Sequence, residues 1–224
     1  MKIVILGDGL LGSEIISQTS WDFISRKKDG FDIRDDSHYI QLCAYDVVVN
    51  CIAHTDTYTK DKELHWDINY RAVVKLTNFC EANNIKLVHI STDYVYTNSN
   101  SNASEDDIPI HGNNWYSYTK LLGDSYVQLN KNNLVLRGTH KQTPFPYANA
   151  WVDQIGNFDY VDVIASLIIQ LINKNAVGVI NIGTELKSMY TLALQTNYNI
   201  SPALNTFAPA NVSMNVSKIK GILK

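Results

Sequence analysis

Cysteine is scarce in this chain. Cys43, Cys51 and Cys80 are the only three in 224 residues, odd in number and widely spaced, with no CxxC pair and no histidine or cysteine at metal-ligand spacing. That excludes a disulfide framework and a structural metal, and it marks the thiols as reduced, as in a cytoplasmic protein. An excess of charge of one sign is missing too. Nineteen Lys and Arg against 22 Asp and Glu leave a net charge of −3, which offers no basic face for nucleic acid. No stretch approaches the roughly 18 consecutive apolar residues that a membrane helix needs. The opening apolar run, Met1 to Leu6, meets a glycine loop too soon for a secretory signal. Internal repeats are absent as well. The expectation is a cytoplasmic protein with neither membrane nor nucleic-acid partner, built as one full domain with a small appendage.

What is present is an ordinary soluble composition, 45% apolar and 18% charged, arranged in a strict rhythm. Runs rich in β-branched residues occur at 2–6, 22–25, 46–53, 86–91, 133–137 and 178–183 and predict strands. Helical patterns at 11–19, 62–83, 115–130 and 160–174 lie between them. In the second, Trp66, Tyr70, Val73, Leu76 and Cys80 recur every three to four residues and predict one apolar stripe. Continuous apolar strands alternating with helices predict an α/β fold, a Rossmann-type doubly wound parallel sheet. Residues 1–137, with 160–183 returning to them, form the predicted dinucleotide domain. Residues 138–159 and 184–224 form the predicted small C-terminal cap. The polar stretch 97–107 reads as a mobile surface loop.

Gly7, Gly9 and Gly12 form a GxGxxG pattern directly after the first strand and at the start of the first helix. In that context the first glycine permits the turn, the second lets a pyrophosphate approach the backbone, and the third packs helix on strand. Leu10 and Leu11 lie in the same turn, where free N–H groups favour an anion. At the end of the second strand, where an NAD site would want an acid, stand Ser25, Arg26 and Lys27. A hydroxyl and two cations suit a 2′-phosphate, so NADP(H) is favoured with NAD(H) possible.

Residues 113–124, NNWYSYTKLLGD, hold Tyr116 and Tyr118 ahead of Lys120. On a helix, residues four apart share a face and residues two apart do not, so Tyr116 can meet Lys120 and Tyr118 cannot. A phenol titrates near 10 in water, and a neighbouring cation brings proton exchange closer to neutral pH. The fourth strand ends in Ser91 and Thr92, where open α/β sheets bind ligands, and either hydroxyl can bond a substrate oxygen.

These residues, together with LVHISTDYVY, YSYTK, VDQIG and GVINIGT, resemble the extended short-chain dehydrogenases/reductases, and within them the dTDP-4-dehydrorhamnose reductase family. The resemblance covers nearly the whole chain. It implies a catalytic set of Thr92, Tyr116 and Lys120, and cofactor contacts from Asp32, Ile33, Cys51, Ala53, Thr55 and Arg137 beside the glycine turn and Lys120. Asn69 is implied as a structural residue of the long helix. Ser91, Asp93, Tyr94, Trp151 and Gln154 are the substrate-binding candidates, with His140, Lys141 and Asp153 as further possible contacts. Tyr94 stands where related dehydratases carry an acid, which turns the expectation toward reduction. The implied activity is NADPH-dependent reduction of the 4-keto group of a nucleotide-linked 6-deoxyhexose. The rival readings are a combined 3,5-epimerase/4-reductase, with His140 and Cys51 as acid/base candidates, another sugar-nucleotide enzyme of the same superfamily acting on a different carbonyl substrate, and a non-catalytic NADP-binding regulatory subunit. The resemblance also implies a homodimer through helices 62–83 and 115–130. The chain departs from the family in length, the loss falling mainly between Arg137 and VDQIG.

Overall fold

A computed structural model describes residues 1–224. Its centre is a six-stranded, all-parallel sheet of β1 (Ile3–Leu6), β2 (Asp22–Ile24), β3 (Val47–Asn50), β4 (Lys86–Ile90), β5 (Leu134–Arg137) and β6 (Gly178–Asn181). Their spatial order is β6-β5-β4-β3-β1-β2. The predicted doubly wound sheet is therefore present, each strand a little shorter than its apolar run. Every residue of β1, β3 and β5 is buried, because helices cover both faces.

The two-residue period of the strands sorts their side chains between two cores. Ile3, Ile5, Val47 and Val49 point to one side, where α1 (Leu10–Gln18) and α4 (Val161–Asn173) bring Ile15, Ile164 and Ile168. Val4, Leu6 and Val48 point to the other, against Val73, Leu76 and Cys80 of the long helix α2 and Val127 of α3 (Trp115–Val127).

Helix α2 corrects one expectation. It is α-helical over Lys62–His65 and Ala72–Ala82, with a π-helical segment, Trp66–Arg71, between them. The wider turn shifts the phase of the residues before it. Val73, Leu76 and Cys80 keep the predicted inward face, but Trp66 and Tyr70 leave it and Asn69 turns in. The Trp66 ring packs on Tyr70 at 5.5 Å and on Tyr118 at 5.7 Å instead. Gly123 of α3 sits so close to the π segment that an added Cβ would lie 2.4 Å from the Asn69 carbonyl oxygen.

The cap has its own small core of Phe145, Phe158, Tyr160, Met189 and Leu192 among others. Its strands are short: Lys187–Ser188, Ile155–Gly156 and Asn211–Val212 form one sheet, and Asn149–Trp151 pairs with Ser201–Ala203. The tail divides differently from the expectation. The final helix α5 (Ser217–Leu223) places Ile219, with Val216 just ahead of it, in the core of the parallel sheet. The 97–107 stretch also differs from a free loop. Ala103 is buried and bridges Met214, the Tyr96 hydroxyl donates to Ser104 O at 3.0 Å, and Asn102 N–H donates to Ser213 Oγ at 2.8 Å. No helix is long and apolar enough to cross a membrane.

Candidate functional site

The sheet reverses its winding between β1 and β3, and the carboxyl ends of that pair open a crevice, as strand order dictates for an open α/β sheet. On one wall is the glycine turn. Gly7 has φ of +93°, and its N–H donates to Ile24 O at 2.9 Å. A Cβ on Gly12 would lie 2.0 Å from Gly7 O, so only glycine lets α1 start so close to β1. A Cβ on Gly9 would meet nothing within 4 Å, which leaves that face open to the crevice. A closed turn, an open middle glycine and the first N–H groups of α1 together fit the pyrophosphate of a dinucleotide.

A cavity of about 420 Å³ begins at this turn and runs to β4 and α3. Gly9, Leu10, Leu11 and Gly12 line one end, and Cys51, Ala53 and Thr55 its flank. Ser91, Thr92, Tyr94, Tyr116 and Lys120 form the far side, so the strand-end hydroxyls and the tyrosine–lysine pair are brought together. A neighbouring cavity of about 240 Å³ lies on the other side of the turn, with Gly7, Arg26, Asp32 and Ile33 in its wall. A third, about 700 Å³, is enclosed by the cap and contains Trp151 and Gln154. Lys141 and Tyr94 are shared by the first and third, while His140 lines the first alone.

Five expected contacts fall elsewhere, among them Asp93, which is fully buried and lines neither the crevice nor the cap cavity. Arg137 is buried within the protein, its Nε and Nη2 donating to the two Asp124 oxygens at 2.8 and 3.0 Å and its Nη1 to the Tyr96 hydroxyl at 2.5 Å. It ties β5 to α3 and leaves no group for a cofactor. Ser25 is buried as the cap of the short helix Arg26–Asp29. Its hydroxyl accepts from Lys28 N–H at 3.1 Å and donates to Asp8 at 3.1 Å. Lys27 is exposed and lines neither cavity beside the glycine turn. Asp153 accepts from Asn205 N–H at 2.7 Å within the cap. Ser91 does line the crevice, but its hydroxyl donates to Asp124 at 2.8 Å.

Arg34 was not anticipated. It stands in the wall of the 240 Å³ cavity and forks onto Asp32, Nη2 donating at 2.5 Å, which holds the Asp32 carboxyl far below the usual range. Its spacing of two residues from Asp32 was the available signal. Thr139 is a second omission, donating to Asp93 Oδ1 at 2.5 Å from a segment without periodicity. Asn69 acts as the resemblance implied: its amide accepts from His54 N–H at 2.8 Å and donates to His54 O at 3.0 Å, pinning the chain after β3 to α2.

Burial dominates the electrostatics. It pushes the Tyr116 phenol up to about 12; the Thr92 hydroxyl opposes the shift and the Asp93 charge adds to it. Lys120 is brought down to about 8 by burial, with Asp124 pulling the other way. Asp93 is pushed up to about 6 by burial against its bond from Thr139, and its Oδ2 is buried without a partner. Burial also lifts the Cys51 thiol to about 12 and lowers His140 to about 4. Gln154 Oε1 in the cap cavity is likewise buried and unpartnered.

The family model described as the RmlD substrate binding domain matches residues 1–141. The spore coat polysaccharide biosynthesis protein SpsK of Bacillus subtilis is 26% identical over 176 residues, which is 74% of this chain and 58% of that protein. A dTDP-4-dehydrorhamnose reductase of Mycobacterium tuberculosis is 29% identical over 102 residues, 42% of this chain and 34% of the relative. The matches thus span from a third to somewhat over half of those relatives' lengths. Among solved structures, a hypothetical dTDP-4-dehydrorhamnose reductase from Sulfolobus tokodaii superposes with a TM-score of 0.84 at 24% identity, covering 100% of this chain and 95% of that one. The dTDP-4-dehydrorhamnose reductase from Bacillus anthracis, solved in complex with NADP, gives 0.81 at 21% identity, covering 98% and 91%. At these identities the structural likeness is one of fold.

Proposed function

Because the chain belongs to the RmlD substrate binding domain family, we propose that it is an NADPH-dependent reductase of the 4-keto group of a nucleotide-linked 6-deoxyhexose. The observation that carries this reading is that Thr92, Tyr116 and Lys120 line the same crevice as the open glycine turn. In support, the Bacillus anthracis relative was solved in complex with NADP, and a Bacillus cereus UDP-glucuronic acid 4-epimerase of the same fold in complex with NAD. When bound, the dinucleotide supplies the hydride. The N–H groups of the glycine turn would hold the pyrophosphate, Ile33 would flank the adenine, and Arg26 and Arg34 would be the cations for a 2′-phosphate.

Tyr116 is the proton donor in this reading. Its burial keeps the phenol protonated at neutral pH, the state that a donor to a nascent alkoxide requires. Thr92, at the end of β4, gives its hydroxyl to the same oxygen. Lys120, one turn along α3, is the source from which the phenolate left behind regains its proton. Reduction is favoured over 3,5-epimerisation, because Cys51 and His140 are pushed away from neutral pH in opposite directions and neither suits proton exchange there. The substrate's sugar and nucleotide occupy the cap cavity beside Trp151 and Gln154. Replacing Tyr116 by Phe is expected to leave the Kd for NADPH unchanged while kcat falls by about 10²- to 10⁴-fold. Near-normal turnover would overturn the assignment. NADPH binding without consumption across a broad panel of sugar nucleotides would favour a regulatory subunit. Two copies pair through α2 and α3 in this reading, and light scattering after size-exclusion chromatography should return twice the chain mass.

A further inference from the structure

Lys120 is held from behind, by β4. Its Nζ donates to Ile90 O at 2.6 Å and lies 3.4 Å from Nε2 of His89. His89 is fully buried, and its Nδ1 lies 3.3 Å from Nδ2 of Asn50 on β3. The Asn50 amide cannot be turned round. Its Oδ1 accepts from Ile52 N–H at 3.0 Å, a group that only donates, so the NH₂ end must face the imidazole. Nδ1 is then the acceptor, and a neutral ring carries its proton on Nε2, toward Lys120. Burial keeps that ring neutral. An ammonium at Lys120 would therefore meet N–H with N–H, whereas a free amine accepts from Nε2–H and still donates to Ile90 O.

We infer that His89, its tautomer locked by Asn50, is a positioning residue that stabilises Lys120 as a free amine, so that Lys120 exchanges a proton near neutral pH instead of standing as a permanent cation. Burial is the largest influence on Lys120, and among its neighbours the His89 contact is the one that distinguishes amine from ammonium. Asp124, on the same helix, favours the cation, but its oxygens are taken by Arg137, Ser91 and Gln128. Cys51, beyond β3, is held as a neutral thiol, and Tyr116 as a neutral phenol. Asp93 bears on Tyr116 and is spent on Thr139 and Thr92. The inference rests on Lys120 serving the reductase site. There the proton balance closes when Lys120 enters as the ammonium: the Tyr116 O–H bond breaks toward the substrate oxygen, solvent water relays one Lys120 proton to the phenolate, and the amine left behind is held by His89 Nε2–H until solvent returns the proton.

NMR tests the arrangement without needing turnover. Long-range ¹H–¹⁵N spectra of the full chain should show His89 neutral with its proton on Nε2 between about pH 6 and pH 9. A proton on Nδ1 overturns the inference. With ¹³C-labelled lysine, the Lys120 Cε signal, assigned by its loss in Lys120→Met, should titrate below the exposed lysines. His89→Gln can turn its amide oxygen to the ammonium and should raise that midpoint by about one unit or more; an unmoved midpoint also overturns the inference. If His89→Gln does not fold, the wild-type tautomer alone decides. The reductase reading fails separately, through absence of NADPH oxidation, and would leave this proton arrangement standing.

Discussion

Asp93 is the residue at which burial and charge conflict most openly. It sits between Thr92 and Thr139 with one oxygen bonded and the other buried without a partner. Its carboxyl is raised to about 6 from 3.8, so between those values the folded chain holds more protons than the unfolded one. Stability from this group is accordingly full below pH 4 and is lost as pH rises toward 6. Asp93→Asn should therefore raise stability at pH 7 to 8 by up to about 3 kcal/mol, a gain that shrinks toward zero as pH approaches 4. Paired urea titrations across that range check it, and a gain independent of pH would refute the charge argument.

Among elements, the contact of α2 with α3 does most to position the crevice. Gly123 admits the π segment of α2, and that segment turns Asn69 inward to hold both backbone groups of His54. Ala53 and Thr55, on either side of His54, line the crevice. Gly123→Ala must push a methyl into a carbonyl oxygen, and overpacking of this kind costs about 1 to 3 kcal/mol. The expected outcome is a lower Tm together with a several-fold weaker Kd for NADPH, read by calorimetry. A loss of stability with unchanged binding would show that the Asn69 clamp does not set the crevice. Arg137 works at the same scale: placed at the end of β5, it locks Asp124 of α3 and with it Ser91 of β4.

For the whole molecule, the cap is not an independent lobe. Its chain leaves the sheet after β5, returns as α4, departs again after β6 and comes back as α5. Ile219 on α5 is buried in the core that α1 and α4 share. Ile219→Asp places an unpaired charge there and should destabilise the entire fold by several kcal/mol in one cooperative transition. Circular dichroism and aromatic fluorescence should then unfold together. A separate early transition confined to one probe would mean that the tail folds apart from the sheet. Across the cap, Phe207 stacks edge-on against both Trp151 and Tyr58 at 5.0 and 5.1 Å, which joins the cap cavity to the loop after Thr55.

The sequence by itself determined the parallel sheet and the glycine turn and put Tyr116 and Lys120 on one helix face, which borders one crevice, because each rests on local periods: two residues for a buried strand, four for a helix face, and fixed glycine offsets for the turn. It also marked Thr92, since a strand end is readable from the run that precedes it. Tertiary structure alone decided that Arg137 and Ser25 are structural and that α5 belongs to the sheet. It also decided that Asn50 sets the proton on His89. Those outcomes depend on which groups meet across elements, as Arg137 meets Asp124 13 residues away and Asn50 meets His89 39 residues away, and a buried donor takes whichever acceptor the packing presents. No local pattern encodes that choice, and it is here that burial moves Tyr116, Lys120 and Asp93 away from their solution chemistry.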